Sequence, residues 1–184
     1  MIITITGDEG SGKSTIAKLL AEKLNMKSYY VGGMRREFAE KRGMTLAEYN
    51  KLGETDESTD KEVDQWQEKL GKNEDNFIIQ GRTSHFLIPQ ALKLYFKTSE
   101  KVGAERAWKD LQEGRRRNEA SNINSLEDVI KSRQERKASD VKRYMQYYNY
   151  DMYNLDDFDF IIDTTDMDIE GVFSEVLTFI ESKR

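Results

Sequence analysis

An α/β fold, with a doubly wound parallel sheet of about five strands, is predicted by three observations. Short β-branched or aromatic runs recur along the chain, at Ile2–Thr6, Ser28–Val31, Phe77–Gln80, Leu92–Lys97 and Phe158–Asp163. Stretches with helical spacing separate them. A glycine-rich turn beginning at Gly7 joins the first run to the first helical stretch. In such sheets ligands sit at the carboxyl ends of the strands. Gly7, the Gly32-Gly33 pair, Gly81-Arg82 and Asp163 all fall at such ends and are expected to converge on one crevice.

The first strand, Ile2–Thr6, is followed by a helix with Ile16, Leu19, Leu20 and Leu24 at i, i+3, i+4 and i+8, fading near Asn25. After the second strand, Gly32-Gly33 opens an element from Met34 to Arg42 that Gly43 ends. Thr45-Leu46-Ala47-Glu48 is a capping box for a short helix. A polar loop, Gly53–Ser58, precedes a helix from Thr59 to Leu70 with Val63, Trp66 and Leu70 on one face. The stretch from Gly33 to Leu70 is too long for a plain crossover and reads as a helical insertion. Gly71–Asn76 is a turn before the third strand, and Pro89 leads towards the fourth. Thr98 or Ser99 caps a helix to about Leu111. The polar segment from Gly114 to Asn124 breaks periodicity and reads as a mobile loop. A long helix runs from Ser125 to about Tyr148. After the fifth strand, Ile169, Val172, Phe173, Val176, Leu177 and Ile180 form an amphipathic closing helix. The 184 residues form one domain, 1–184, with the insertion and the loop as lobes of it.

Net charge is −5, which disfavours nonspecific nucleic-acid or membrane binding. The chain has no cysteine, so disulfides and thiolate metal sites are excluded. No apolar run approaches a membrane span, and Met1 leads straight into a strand without an export signal, so a cytoplasmic location is expected.

Gly7-Asp8-Glu9-Gly10-Ser11-Gly12-Lys13-Ser14-Thr15 fits the phosphate-binding pattern G-x-x-x-x-G-K-[ST]. Strand, glycine loop and helix together aim backbone N–H groups and a helix N-terminus at phosphate oxygens. Lys13 would reach the β- and γ-phosphates and the Ser14 hydroxyl would ligate magnesium. On the long helix, Arg133, Arg136, Asp140 and Arg143 share an arc of roughly 80°. Ile130, Ala138, Val141, Met145 and Tyr148 occupy a neighbouring arc and are expected to face the core. Fixed guanidinium groups suit a site that gathers several phosphates, because they bind phosphate bidentately without reorganising. Arg115, Arg116 and Arg117 in the polar loop could add more, as part of a lid. Arg36 and Arg82 follow the second and third strands, each placed to hold a second phosphate opposite the glycine loop.

These motifs together resemble the nucleoside monophosphate kinases, and among them the compact cytidylate kinases. The likeness rests on the loop at 7–15, Gly32-x-x-x-Arg36, Gly81-Arg82, and Arg136-x-x-x-Asp140-x-x-Arg143. It implies a three-layer P-loop NTPase fold with a monophosphate-binding lobe over 33–70 and a lid near 113–124. It also implies ATP and magnesium, with residues 7–15 and Arg115 on the donor nucleotide. Lys13, Arg136 and Arg143 would be catalytic. Gly32, Arg36, Gly81, Arg82 and Thr83 would hold the acceptor, with Asp140 on its ribose. The partners implied are small nucleotides, with no stable nucleic-acid partner, for a monomeric enzyme.

The sequence departs from the family pattern at three places. Asp8 and Glu9 put carboxylates on the anion-binding loop, where they would repel a triphosphate unless turned away. Gln80 replaces an acidic residue before Gly81, and Thr83 replaces an aspartate that reads cytosine in bacterial members. The expected reaction is transfer of the ATP γ-phosphoryl group to a pyrimidine nucleoside monophosphate, CMP or dCMP first. It needs no general base, and the single histidine, His85, is expected to pack near the acceptor pocket. The competing readings are a kinase for a small-molecule hydroxyl, with Asp60, Asp64 or Asp140 as base, a non-enzymatic nucleotide switch, and an RNA-binding module using Arg115–Arg117.

Overall fold

Five parallel strands form one sheet in the order β2-β3-β1-β4-β5 in the computed structural model, which describes residues 1–114 and 123–184. The strands are β1 (Ile2–Gly7), β2 (Lys27–Tyr30), β3 (Phe77–Gln80), β4 (Leu92–Lys97) and β5 (Phe160–Asp163). The helices are α1 (Lys13–Leu24), α2 (Val31–Lys41), α3 (Leu46–Leu52), α4 (Ser58–Asn73), α5 (Ser84–Leu87), α6 (Glu100–Gln112), α7 (Leu126–Tyr148) and α8 (Ile169–Glu181).

The central position of β1 follows from its side chains, which are buried on both faces. Ile3 and Ile5 join Ile78, Leu94, Phe96 and Ile162 against Ile16 and Leu20 of α1 and Val172, Val176 and Ile180 of α8. On the other face Ile2, Phe77 and Ile79 pack against Val31, Val63 and Leu70 from α2 and α4. A smaller cluster around Ala104, Ala107 and Val129 joins α6 to α7. Sheet and two helical layers make the expected three-layer arrangement, and α2, α3 and α4 form the helical insertion.

Three element boundaries differ from expectation. Val31 starts α2 instead of ending β2, and the helix includes Gly32 and Gly33, where a Cβ at either would stand 2.9 Å from the Tyr30 ring. Gly71 lies inside α4, where a Cβ would meet Ile88 Cγ2 at 2.8 Å, so its smallness serves packing rather than a turn. The short helix α5 was not anticipated. The capping box on α3 forms as expected, with Glu48 N–H donating to Thr45 Oγ1 at 3.2 Å and Thr45 N–H to Glu48 Oε2 at 2.7 Å.

The long helix α7 presents only part of the expected core face: Ile130 and Tyr148 are partly buried, and Arg136 reaches the crevice as expected. Val129, Asp140, Arg143 and Tyr144 are its buried residues, while Ala138, Val141 and Met145 face solvent. Apolar spacing misassigned the rest of the face because Asp140 and Arg143 find opposite charges inside, which outweighs burying Val141 and Met145.

Candidate active site

The loop from Gly7 to Thr15 leaves β1 at a backbone conformation open to glycine. Gly7 has φ 137°, and a Cβ there would lie 2.1 Å from the Phe96 carbonyl oxygen. At Gly10, φ is 74° and a Cβ would sit 2.1 Å from the Gly103 carbonyl oxygen, so the loop lies directly on α6. Ser14 and Thr15 are exposed at the N-terminal turn of α1. The Lys13 ammonium donates to the Asp8 carbonyl and to Ser11 Oγ.

A cavity of about 1120 Å³ opens over the carboxyl ends of the strands. Gly7 and Glu9 to Thr15 form one wall. Tyr30, Gly32, Arg35, Arg36, Asp64, Gly81, Arg82, Thr83 and Arg136 contribute to the rest. Arg106, Thr164 and Met167 extend the cavity beyond the loop. Arg106 donates to the carbonyls of Gly10, at 3.3 Å, and Thr164, at 3.0 Å. Asp163 does not line the cavity; it accepts from Thr165. Arg115–Arg117, and with them most of the lid expected over 113–124, lie outside the described residues.

The two loop carboxylates have different surroundings. Asp8 is not among the residues that line the cavity. Its Oδ1 accepts from Tyr95 OH at 3.0 Å and its Oδ2 from Thr98 N–H at 3.1 Å, so its charge anchors the loop to β4 and the turn after it. Glu9 does line the cavity, and its carboxylate meets Arg136 at 2.6 Å, Arg82 at 3.5 Å and Arg133 at 3.6 Å.

From Glu9 a chain of alternating charge runs inward: Glu9, Arg82, Asp140, Arg143, Asp60, Arg35. Arg82 pairs with Asp140 Oδ2, and Arg143 Nη2 donates to Asp140 Oδ1 at 2.6 Å. Arg143 Nε donates to Asp60 Oδ2 at 2.9 Å, and Arg35 Nη1 to Asp60 Oδ1 at 2.5 Å. Asp140 and Arg143 are both 0 % exposed and neither lines the cavity. They tie α7 to α4 and to Arg82 from behind the cavity wall. Burial opposes ionisation of Asp140, but Arg82 and Arg143 hold its pKa below the ordinary carboxylate value. Burial likewise disfavours the charged Arg82, and the Asp140 carboxylate, together with Tyr153, Glu9 and Tyr144, more than offsets it, raising the pKa.

Arg36 lines the cavity beside Tyr30, donating to Tyr30 OH at 2.9 Å and to the Gly32 carbonyl at 3.1 Å. Deeper in that half, Asp64 Oδ1 accepts from Thr83 Oγ1 at 2.9 Å and Gln67 Nε2 at 3.0 Å, and its Oδ2 from Tyr148 OH at 2.6 Å. Sequence reasoning missed Arg35, Gln67 and Arg106, and weighed Asp60 and Asp64 only as bases. A signal existed: Asp60, Val63, Asp64, Gln67 and Leu70 form one i, i+3, i+4, i+7, i+10 stripe on α4. Polar residues on an apolar stripe announce a buried network.

Burial pushes the Asp64 carboxyl up to about 6, from an ordinary 3.8. It pushes His85, which packs on Phe158 and Tyr150, down to about 4 from 6.5. Each displacement corresponds to on the order of 3 kcal/mol. The signs oppose. The folded state binds the Asp64 proton more tightly than the unfolded chain, so that group's contribution falls as pH rises from about 4 to 6. It binds the His85 proton less tightly, so that contribution is lost as pH falls from 6.5 to about 4. Wild-type stability is therefore expected to vary little with these two groups over that range. Asp64→Asn should unmask the histidine, losing roughly 3 kcal/mol between pH 6.5 and 4 in urea unfolding. A variant as flat as wild type would contradict the assignment.

Residues 3–132 match a family model described as an AAA domain. The chain is 36% identical to a cytidylate kinase of Methanocaldococcus jannaschii, over 99% of this chain and 98% of that one. It is 34% identical to a cytidylate kinase of Methanosphaera stadtmanae, over the full length of both. A solved shikimate kinase from Acinetobacter baumannii superposes with a TM-score of 0.60 at 16% identity, covering 100% of this chain and 94% of that one, a likeness of fold.

Proposed function

This chain belongs to the cytidylate kinase family of nucleoside monophosphate kinases, and from that premise we propose that it moves the γ-phosphoryl group of ATP to CMP or dCMP. The observation that carries the reading is one cavity with the glycine loop on one wall and Arg36 and Arg82 on another. A nucleotide switch needs the first wall alone. A second set of phosphate-binding guanidiniums suits two substrates meeting end to end.

The donor triphosphate lies along the loop in this reading, with Lys13 on its β- and γ-phosphates and Arg136 across the transferred group. Arg36 and Arg82 hold the acceptor phosphate. That phosphate is largely dianionic at neutral pH, its second pKa being about 6, so its oxygen attacks without a general base. Asp60 and Asp140, weighed as bases for a hydroxyl kinase, are committed to buried arginines. The residues also fit magnesium. The Ser14 hydroxyl is exposed at the loop, and Gln80 Oε1 is buried in the cavity wall without a hydrogen-bond partner among the described residues, an oxygen suited to a water of a hydrated cation. When bound, magnesium would neutralise phosphate charge.

Asp64 supports cytosine over uracil. An ionised carboxylate only accepts hydrogen bonds, so it favours the cytosine amino group and disfavours the uracil 4-oxygen. Donors from Gln67, Thr83 and Tyr148 hold it in place in the acceptor half. The carboxylate thus comes from α4 where bacterial members place one directly after Gly-Arg.

Steady-state kinetics with ATP, magnesium and CMP, dCMP, UMP, AMP and GMP test the reading. CMP or dCMP is expected to have the highest kcat/KM. Asp64→Asn should narrow the CMP/UMP ratio at least tenfold, because an amide presents a donor as well as an acceptor. ADP release independent of every acceptor would refute the function. An equal loss for CMP and UMP would refute the role of Asp64.

A further inference from the structure

Glu9 stands where a carboxylate is electrostatically out of place, on a loop whose N–H groups and helix N-terminus favour the anions of a ligand. Its side chain does not turn to solvent. Oε1 accepts from Arg136 Nη1 at 2.6 Å and lies 3.5 Å from Arg82 Nη2. Oε2 lies 3.6 Å from Arg133 Nε, and the Glu9 carbonyl accepts from Arg133 Nη2 at 2.6 Å. Guanidinium groups from α7 and from the turn after β3 therefore meet on one carboxylate. Like charges gather so closely only around a negative charge. The cluster also has donors to spare, since Arg136 Nε is buried and donates no hydrogen bond among the described residues.

We propose that Glu9 is a positioning residue, a built-in counter-charge that holds Arg82 and Arg136 converged on the transfer site and yields them to the nucleotide phosphates, while Arg133 fastens Glu9 from outside the cavity. The inference rests on the reading of this crevice as a phosphate site given above. One carboxylate carries a single charge on two oxygens. A phosphate carries nearly two charges on three, and is the better partner for the same donors. Exchange of one for the other leaves the arginines near their working positions. It also weakens ground-state binding of phosphates, which at this site would otherwise lower KM without raising kcat. Asp8 has no part in this, because its carboxylate is engaged by Tyr95 and Thr98.

The test is calorimetric titration of the full chain with inorganic pyrophosphate in chloride buffer, wild type against Glu9→Gln. Removing the competing charge should tighten pyrophosphate binding at least tenfold. It should also lower the midpoint of thermal unfolding without ligand, and lower both KM for ATP and kcat, each severalfold. A residue that merely supports the fold would weaken binding along with stability. Pyrophosphate bound no more tightly by Glu9→Gln than by wild type would overturn the proposal. Glu9→Asp keeps the charge but withdraws it by one methylene, and covers the case in which the glutamine variant does not fold. It should bind pyrophosphate about threefold more tightly, and an unchanged or weaker affinity overturns the proposal equally. Tightening in a protein that phosphorylates no monophosphate would leave this inference standing and refute the acceptor reading instead.

Discussion

Lys13→Ala is expected to lower kcat by a factor on the order of 10²–10³ with every acceptor, equivalent to roughly 3–4 kcal/mol of transition-state stabilisation. The ammonium sits at the first residue of α1, on the wall of the cavity that the loop forms. Its partners include the Asp8 carbonyl and Ser11 Oγ, oxygens that a phosphate replaces with stronger, charged acceptors. Negative charge develops on the leaving oxygen between the β- and γ-phosphorus atoms as that bond breaks, so a fixed cation on these phosphates acts mainly on kcat. The fold should be little affected, because the side chain is half-buried and its hydrogen bonds to Asp8 and Ser11 stay within the loop itself. Stability within about 0.5 kcal/mol of wild type, measured by urea unfolding, is therefore the accompanying expectation. Turnover within a factor of three of wild type would remove the loop lysine from the mechanism.

The second large effect is on stability. Arg143→Met should destabilise the protein by about 3–5 kcal/mol. Arg143 is fully buried and donates to Asp60, to Asp140, to Ser139 Oγ and to the Asn50 carbonyl. Methionine fills much of the same volume but leaves those carboxylates short of a partner in a dry environment. Arg35 and Arg82 still offset part of the charge, which places the loss nearer the lower bound. At this chain length the midpoint of thermal unfolding should fall by on the order of 10 °C. A loss below 1 kcal/mol would show that the pair is not desolvated as described. The substitution also loosens the join between α7 and the helical insertion. A raised KM for the acceptor, with KM for ATP little changed, should accompany it.

The parts of this molecule that were legible in the sequence are those specified locally. The glycine loop is a contiguous motif whose backbone demands are met by Gly7 and Gly10, and strand and helix flank it as the motif requires. The capping box at Thr45–Glu48 and the serine cap at Ser125 act within one helical turn, so they too could be read directly, while at the start of α6 the sequence offered Thr98 or Ser99 and Ser99 is the cap. The buried face of α7 could be read only in part. Counting apolar residues assumes that the buried face is the apolar one, and α7 buries Asp140 and Arg143 because Asp60 and Arg82 arrive from elements far off in sequence. The same non-local pairing hid Arg35, whose neighbour Arg36 carried the recognisable spacing while Arg35 turned inward to Asp60. Asp8 and Glu9 were visible as misplaced charges. Their separate uses depended on Tyr95, Thr98 and three distant arginines, which no spacing rule connects to the loop.

The central claim is that two phosphates meet in one crevice and a phosphoryl group passes between them. Incubation with ATP labelled in the γ-phosphate, magnesium and CMP, followed by separation of the nucleotides, tests it most directly. The account predicts that the label appears in the β-phosphate of CDP, in step with ADP release, and that both stop together in Lys13→Ala. Label recovered only as inorganic phosphate, or ADP formed at the same rate without CMP, would contradict it.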